Sequence, residues 1–381
     1  MLTLCVIIHV TQEVLTKENN KPFYSVKLIF HENWEDYLKT HEVRGIERVE
    51  VEKMLSCKDG SRGGFWYYCR TCNEYQFVPF GCNSRLCSCC GKRYTDQWAC
   101  MLTERLEKNI FHRHLVFGIP DMLWKYFQDD RTLYKVLMDT AYKTIKETFS
   151  KINHRDVAPG VIEVYHPFGR DIKHQPHVHM IVTEGGFDKE GNFVSSGNYI
   201  PYNVLHKHWE YNILKALKKY LPVGIVEMAY ARYQICFCVY VRKDRISSRK
   251  GLAKYIGRYV RHPAIANTRI IAYNGEAVKF YWKDHEDKLH YKIMLVDDFI
   301  SAIIQHIPEK NQKLVRYYGA YSRRKKKAIK SSIINLILPK LSEKGVAYCL
   351  KCHERMEFVA YSNGDKPPDK NKLSIWLETE R

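Results

Sequence analysis

Two tyrosines four residues apart, two histidines two apart and a crowd of cysteines are the residues of this chain whose types and spacing can do chemistry. Tyr255 and Tyr259 lie in the run Lys254-Tyr255-Ile256-Gly257-Arg258-Tyr259-Val260. On a helix, positions i and i+4 share a face, with Cβ atoms about 5–6 Å apart. A phenol is a poor nucleophile at its ordinary pKa of about 10. It becomes competent when a cation draws charge off a phosphate and a neighbour takes the proton. Two phenols on one face suit a two-step exchange, one holding a strand end covalently while the other attacks a second strand. Lys254, Arg258 and Arg261 make that face basic and suited to backbone phosphates. The competing reading is an aromatic core stripe, which the 27 tyrosines of the chain make common.

The run Gln175-Pro176-His177-Val178-His179-Met180-Ile181-Val182 puts two histidines on one strand. Alternation sends both rings to one face, about 7 Å apart along the strand. From there two imidazole nitrogens can converge on a divalent cation and leave positions open for a phosphate. Alone, a His-x-His pair reads as two half-exposed histidines on a sheet; the tyrosine pair downstream reverses that reading. A third ligand is expected from the neighbouring strand. His166 and Glu163 differ in parity and point to opposite faces, and His174 stands on the connecting loop.

The cysteines run Cys69-x2-Cys72, then Cys82, then Cys87-x2-Cys90. Two CxxC knuckles a short loop apart can wrap one tetrahedral Zn²⁺, so Cys69, Cys72, Cys87 and Cys90 are expected to bind a single ion. Cys57, Cys82 and Cys89 are surplus; Cys57 or Cys82 can replace one of the four or serve a second ion, and Cys89 reads as a bystander. Cys349-x2-Cys352-His353 has no fourth ligand after it and reads as incomplete. Cys236 and Cys238 alternate on one face of an apolar strand and read as core. Arg70, Arg85, Lys92, Arg93, Tyr67, Tyr68 and Trp98 crowd the cysteine block, as suits a DNA-contacting zinc module.

Composition agrees with a polyanionic partner. The 381 residues hold 61 Lys and Arg against 42 Asp and Glu, a net charge of +19 with pI near 9.2. At 45% hydrophobic residues the chain can bury a core, which excludes wholesale disorder. No stretch reaches 18 uninterrupted apolar residues, so no membrane-spanning helix is expected. Met1–Val10 lacks a basic start and a small-residue cleavage site and reads as part of the folded protein. The thirteen cysteines, seven of them within 34 positions, favour thiolate metal sites in a reducing compartment.

These groups need elements to position them. The pattern predicts strands at His114–Ile119, Gly160–Tyr165, His177–Thr183, Gln234–Val241 and His290–Val296. It predicts helices at Arg131–Ile152, Tyr202–Tyr220, Leu252–Val260 and from about Asp298. Pro167–Pro176 joins two strands as a hairpin, and Asn274-Gly275 marks another between Ile270–Tyr273 and Ala277–Trp282. The layout is α+β with a largely antiparallel sheet. It divides into an N-terminal arm (1–50), a zinc-binding domain (51–105), a catalytic domain (106–310) and a basic C-terminal region (311–381) that carries Arg323-Arg324-Lys325-Lys326-Lys327.

With these residues in view, the chain resembles the transposases of the insertion sequence ninety-one family, two-tyrosine relatives of rolling-circle initiators and Helitron transposases. The resemblance runs from about Cys57 to Lys327. It includes Cys87-Ser88-Cys89-Cys90-Gly91, Pro176-His177-Val178-His179, Tyr255-Ile256-Gly257-Arg258-Tyr259-Val260-Arg261-His262, Ala264-Ile265-Ala266-Asn267 and Val315-Arg316-Tyr317-Tyr318-Gly319. It implies His177 and His179 as metal ligands, with His166 preferred to Glu163 as the third, and Tyr255 and Tyr259 as nucleophiles. It implies an antiparallel sheet of the His-hydrophobic-His (HUH) nuclease type, with helices on its faces. The implied ion is Mg²⁺ or Mn²⁺ and the implied partner is single-stranded DNA, at element ends and target, with no membrane. Where the family has a further histidine before the proline this chain has Gln175, and Ser88 replaces a proline in the second knuckle. The rivals are a rolling-circle replication initiator or relaxase with the same chemistry, and a non-enzymatic zinc-dependent nucleic-acid-binding regulator.

Overall fold

A computed structural model describes residues 24–107, 109–197, 202–233, 237–241, 248–261, 263–284, 286–322 and 347–362. Met1–Val10, Cys236 and the basic run 323–327 lie outside the described residues. The described residues of the segment expected as an arm form helix α1 (Val26–Thr40) and most of α2 (Gly45–Leu55). Ser25 caps α1 by accepting from the Leu28 amide at 3.1 Å. A hairpin follows, β1 (Gly64–Cys69) and β2 (Glu74–Pro79), and then α3 (Ser88–Arg105).

The central elements are β3 (His112–Gly118), α4 (Trp124–Asp129), α5 (Leu133–Ile152), β4 (Val161–Phe168) and β5 (His174–Thr183). After them come β6 (Gly185–Phe187), β7 (Phe193–Ser195), α6 (Tyr202–Leu217), α7 (Ile225–Arg232), β8 (Val239–Val241) and α8 (Arg249–Gly257). The chain continues through β9 (Ile270–Tyr273), β10 (Ala277–Lys283), β11 (Leu289–Leu295), α9 (Val296–Ile304), β12 (Val315–Tyr318) and β13 (Glu357–Ser362).

The site rests on an antiparallel five-stranded sheet in the order β12-β4-β5-β3-β8. Period-two alternation sorts its side chains. Leu115, Phe117, Val161, Tyr165, Val178, Met180 and Val182 join α5 and α6 in the largest core. The opposite parity puts Ile162, Val164 and Ile181 against α3 and α8, around Trp98, Ala99, Leu252 and Ile256. His166, His177 and His179 share this second parity, so the register that buries the first face delivers the histidines to the helix that carries the tyrosines. A third core joins α1, α9 and the β9–β10–β11 meander through Phe30, Trp34, Phe280 and Phe299.

The expected hairpins and the α+β class are present. Asn274 closes the β9–β10 turn by accepting from the Glu276 and Ala277 amides, with Gly275 at φ 95°. Two expectations change. Cys238 is exposed, because Phe237 and Val239 take the inward parity of that strand. The tyrosine helix ends at Gly257, not Val260. Beyond it the Tyr259 and Val260 amides donate to Ile256 and Gly257 at 3.0 and 3.1 Å, the three-residue bonding that tightens a last turn.

No helix among the described residues is long and apolar enough to cross a membrane.

Candidate active site and metal centres

Three ring nitrogens converge on the α8 face of the sheet. His166 Nδ1 lies 3.2 Å from His177 Nε2, which lies 3.1 Å from His179 Nε2. Register explains the meeting, since His166 on β4 stands directly opposite His177 on β5. Adjacent corners of an octahedron with bonds of about 2.1 Å are about 3.0 Å apart, so the donors fit three positions of one divalent ion. The tautomers suit ligation. His177 Nδ1 donates to the Gln175 carbonyl at 2.7 Å, which leaves Nε2 its lone pair. Burial pushes His177 down to about 4. His179 is held well below the usual histidine range by burial and by the neighbouring His177, His166, His114 and Arg258. Both rings are therefore neutral at pH 7, as a ligand must be.

The alternative third ligands do not reach this centre. Glu163 lies on the opposite face of β4, fully buried, and His174 stacks on His306 at 6.3 Å. Burial first, then Asp139, raises the Glu163 carboxyl well above its usual value, against the opposing pull of Arg316. A carboxyl raised in the folded state costs stability as pH climbs past its unfolded value, because only the unfolded chain ionises it freely. Glu163→Gln should therefore leave Mn²⁺ affinity unchanged and raise Tm at pH 8 by on the order of 2 °C or more, with a smaller gain at pH 5. A fall in Mn²⁺ affinity with the fold intact would instead make Glu163 a ligand.

Tyr259 packs its ring on His179 at 3.6 Å between centroids and meets His166 edge-on at 5.5 Å. Tyr255 lies 5.9 Å from Tyr259 and 4.8 Å from His114. Burial first, then a hydrogen bond with Tyr255, raises the Tyr259 phenol above its ordinary value. That phenol is therefore harder to ionise than a free one. Lys254 and Arg258 are exposed, and Arg258 lies over the Tyr255 ring at 4.5 Å. Arg261 turns toward the zinc-binding region, where it donates to the Asn83 carbonyl and covers Tyr94 at 4.6 Å. A cleft beside Tyr259 and His166 is lined by Arg85 and Arg261.

His114 was not legible as part of the site. Its Nε2 lies 3.0 Å from His179 Nδ1, and the ring is 2% exposed. It fixes the side of the His179 ring that faces away from His166 and His177. The available signal was two histidines, His112 and His114, of equal parity at the start of a strand.

The four cysteines expected around one ion do not meet. Cys69 and Cys72 sit at the turn of the β1–β2 hairpin, whereas Cys57, Cys82, Cys87 and Cys90 gather at its other end. The six residues of β2 between them span about 20 Å at strand rise, too far for one tetrahedral ion. At the near end, Sγ separations of 3.7, 3.8 and 3.6 Å join Cys57 to Cys90, Cys82 to Cys90 and Cys87 to Cys57. A tetrahedron with bonds of about 2.3 Å has edges of about 3.8 Å, so the set fits Zn²⁺. The close approach requires Gly81, where a Cβ would lie 2.9 Å from Cys90 Sγ. Cys69 and Cys72 pair instead with Cys349 and Cys352, the knuckle that read as incomplete. Cys89 is exposed and outside both groups.

The near-end cluster touches the tyrosine helix through α3. Cys87 is its N-cap residue and Cys90 lies in its first turn. Gly257 of α8 lets the two helices close up, since a Cβ there would meet Thr95 Cγ2 at 3.1 Å.

Two family profiles match the chain. One, described as "Transposase zinc-binding domain", matches residues 29–119. The other, described as "Putative transposase", matches residues 160–328 and spans the histidine triad and both tyrosines. The transposase for insertion sequence element IS801 of Pseudomonas savastanoi pv. phaseolicola is 29% identical over 310 residues, covering 76% of this chain and 74% of that protein. The "Putative transposase y4qJ" of Sinorhizobium fredii is 26% identical over 319 residues, covering 78% and 80%. No solved structure matches the chain. The chain belongs to the insertion sequence ninety-one family of transposases, enzymes that cut DNA and transfer its strands, and it carries their zinc-binding domain.

Proposed function

We propose that this transposase cuts and rejoins single-stranded DNA through 5′-phosphotyrosine links on Tyr255 and Tyr259, and so moves an insertion sequence by a rolling-circle-like route. The observation that carries the reading is the convergence of His166, His177 and His179 beside a half-buried tyrosine, with Tyr255 at 5.9 Å from it. A divalent ion held there, Mg²⁺ or Mn²⁺, supplies Lewis-acid polarisation of the scissile phosphate. An all-nitrogen donor set ranks Mn²⁺ above Mg²⁺ in affinity.

The chain's own residues do the rest. The phenol oxygen attacks phosphorus and loses its proton. The new O–P bond forms as the P–O3′ bond breaks, and the departing 3′ oxygen takes up a proton. In the second step a 3′-hydroxyl attacks the phosphotyrosine, joins the strands and returns the phenol. Each link conserves the phosphoester bond, so no nucleoside triphosphate is consumed. Two phenols let one strand end stay covalently held while another is cut. His114 holds the orientation of His179. Lys254, Arg258 and the cleft residues Arg85 and Arg261 receive the DNA backbone. Incubating the protein with single-stranded oligonucleotides carrying an element end tests the reading. A cut that needs Mn²⁺ or Mg²⁺ and stops with chelator supports it; metal-independent cutting sinks it.

The +19 charge gives a second expectation. DNA affinity should fall by on the order of 10³ between about 50 and 200 mM salt, the loss that about six neutralised phosphates produce. A log–log slope near zero would contradict a surface that tracks phosphates.

A further inference from the structure

The profile for the zinc-binding domain ends at residue 119, yet two of the cysteines in the second cluster come from the far end of the chain. We infer that Cys69, Cys72, Cys349 and Cys352 form a second Zn²⁺ centre, which clamps the C-terminal segment onto the N-terminal hairpin.

Spacing is the first support. Cys69 Sγ lies 3.4 Å from Cys352 Sγ, and Cys349 Sγ lies 3.8 Å from Cys72 Sγ, close to the tetrahedral edge of about 3.8 Å. All four sulfurs lie within 4.8 Å of one another. A disulfide needs sulfurs at about 2.05 Å, and neither pair is that close.

The two knuckles are also built alike. In each, the first cysteine's sulfur accepts a backbone N–H from the turn at 3.4 Å, from Cys72 to Cys69 and from Lys351 to Cys349. In each, the residue after the second cysteine takes the left-handed conformation, Asn73 at φ 55° and His353 at φ 59°. Such residues turn the chain sharply enough to aim both thiolates of a CxxC at one centre. N–H donors to sulfur favour the thiolate, the form that binds metal. Two unrelated free cysteine pairs have no reason to share this construction.

The surroundings complete the case. Tyr67, Val78, Ala347 and Met356 enclose the sulfurs in apolar contact, and Cys69 and Cys349 are buried. Strand β13 pairs with β1 from Gly64↔Ser362 to Tyr68↔Glu357 and brings its knuckle up to the β1–β2 turn. Arg70 and Glu357 pair at 2.7 Å across that junction, and Lys351 pairs with Glu74. Exposed ion pairs such as these stabilise little, and a three-stranded sheet of this size has little core. In small domains the binding of a structural zinc is itself folding free energy, so it dominates the closure. Chain ends some 280 residues apart in sequence are thereby held in one module.

Cobalt substitution of the full-length protein tests this without DNA, and so independently of the proposed reaction. Sulfur-to-cobalt charge-transfer absorption counts only thiolate-bound ions, so the histidine centre is silent. The wild-type band should saturate at two thiolate-bound Co²⁺ per chain, and native mass spectrometry of the zinc form of H177A/H179A, which lacks two of the three histidine nitrogens, should show two zinc ions. C349S/C352S should saturate at one. Saturation of the wild type at one equivalent, or retention of two by the variant, overturns the proposal. If the C349S/C352S variant is insoluble, the wild-type titration and the H177A/H179A mass decide alone.

Discussion

Replacing Tyr255 and Tyr259 together with phenylalanine should abolish the covalent protein–DNA adduct, by on the order of 10³ or more. Phenylalanine keeps the ring, so the stack of Tyr259 on His179 and the packing against α3 persist, and only the hydroxyls go. If the pair served as core, activity would survive almost intact. Each single variant should still cut once, because Tyr259 stacks on His179 and Tyr255 lies 5.9 Å from Tyr259, and should fail the full strand-transfer cycle that uses both. The readout is a denaturing gel shift of a 3′-labelled oligonucleotide. An undiminished shift from a folded double variant would remove the tyrosines from the mechanism.

His177→Ala with His179→Ala should separate cutting from binding. The substitutions remove two of three converging nitrogens while Lys254, Arg258 and Arg85 stay in place. Loss of a residue that merely orients a ligand costs metal affinity about 10–100-fold, so loss of two ligands should exceed about 100-fold. Cleavage should collapse with it, and DNA affinity at fixed salt should change by less than about threefold, because phosphate contacts supply most of it. Isothermal titration with Mn²⁺ and a filter-binding assay make the comparison. Equal loss of cleavage and DNA binding by a folded variant would assign the histidines a structural role.

What the sequence disclosed follows the range of the interactions. The histidine strand, the tyrosine turn and the Asn274-Gly275 hairpin are local, and their spacing carries their geometry. The parity of His166 and Glu163 was legible too, but which face of β4 meets the tyrosines depends on α8 docking over Ile162, Val164 and Ile181. The cysteines group otherwise than expected for a related reason. CxxC spacing says that two thiolates point one way, not which other pair they meet. Here six residues of extended β2 separate the near pairs, while a strand partner near residue 360 supplies the far one. His114 meets His179 only through the β3–β5 register, where Val116 pairs with His179, and no motif announces it. The shortened tyrosine helix reflects packing as well, with Gly257 pressed against Thr95 and the turn tightening beyond it.

In the proposed reaction a tyrosine of this pair becomes bonded to the 5′ phosphate of a cut strand. The most direct measurement is to trap the Mn²⁺-dependent adduct of the unmodified protein on a single-stranded oligonucleotide, digest it, and locate the nucleotide by mass spectrometry. A 5′-phosphotyrosine on Tyr255 or Tyr259 is expected, with a free 3′-hydroxyl on the released fragment. A nucleotide mapped to any other residue, or a clean cut with no covalent protein at all, would contradict it.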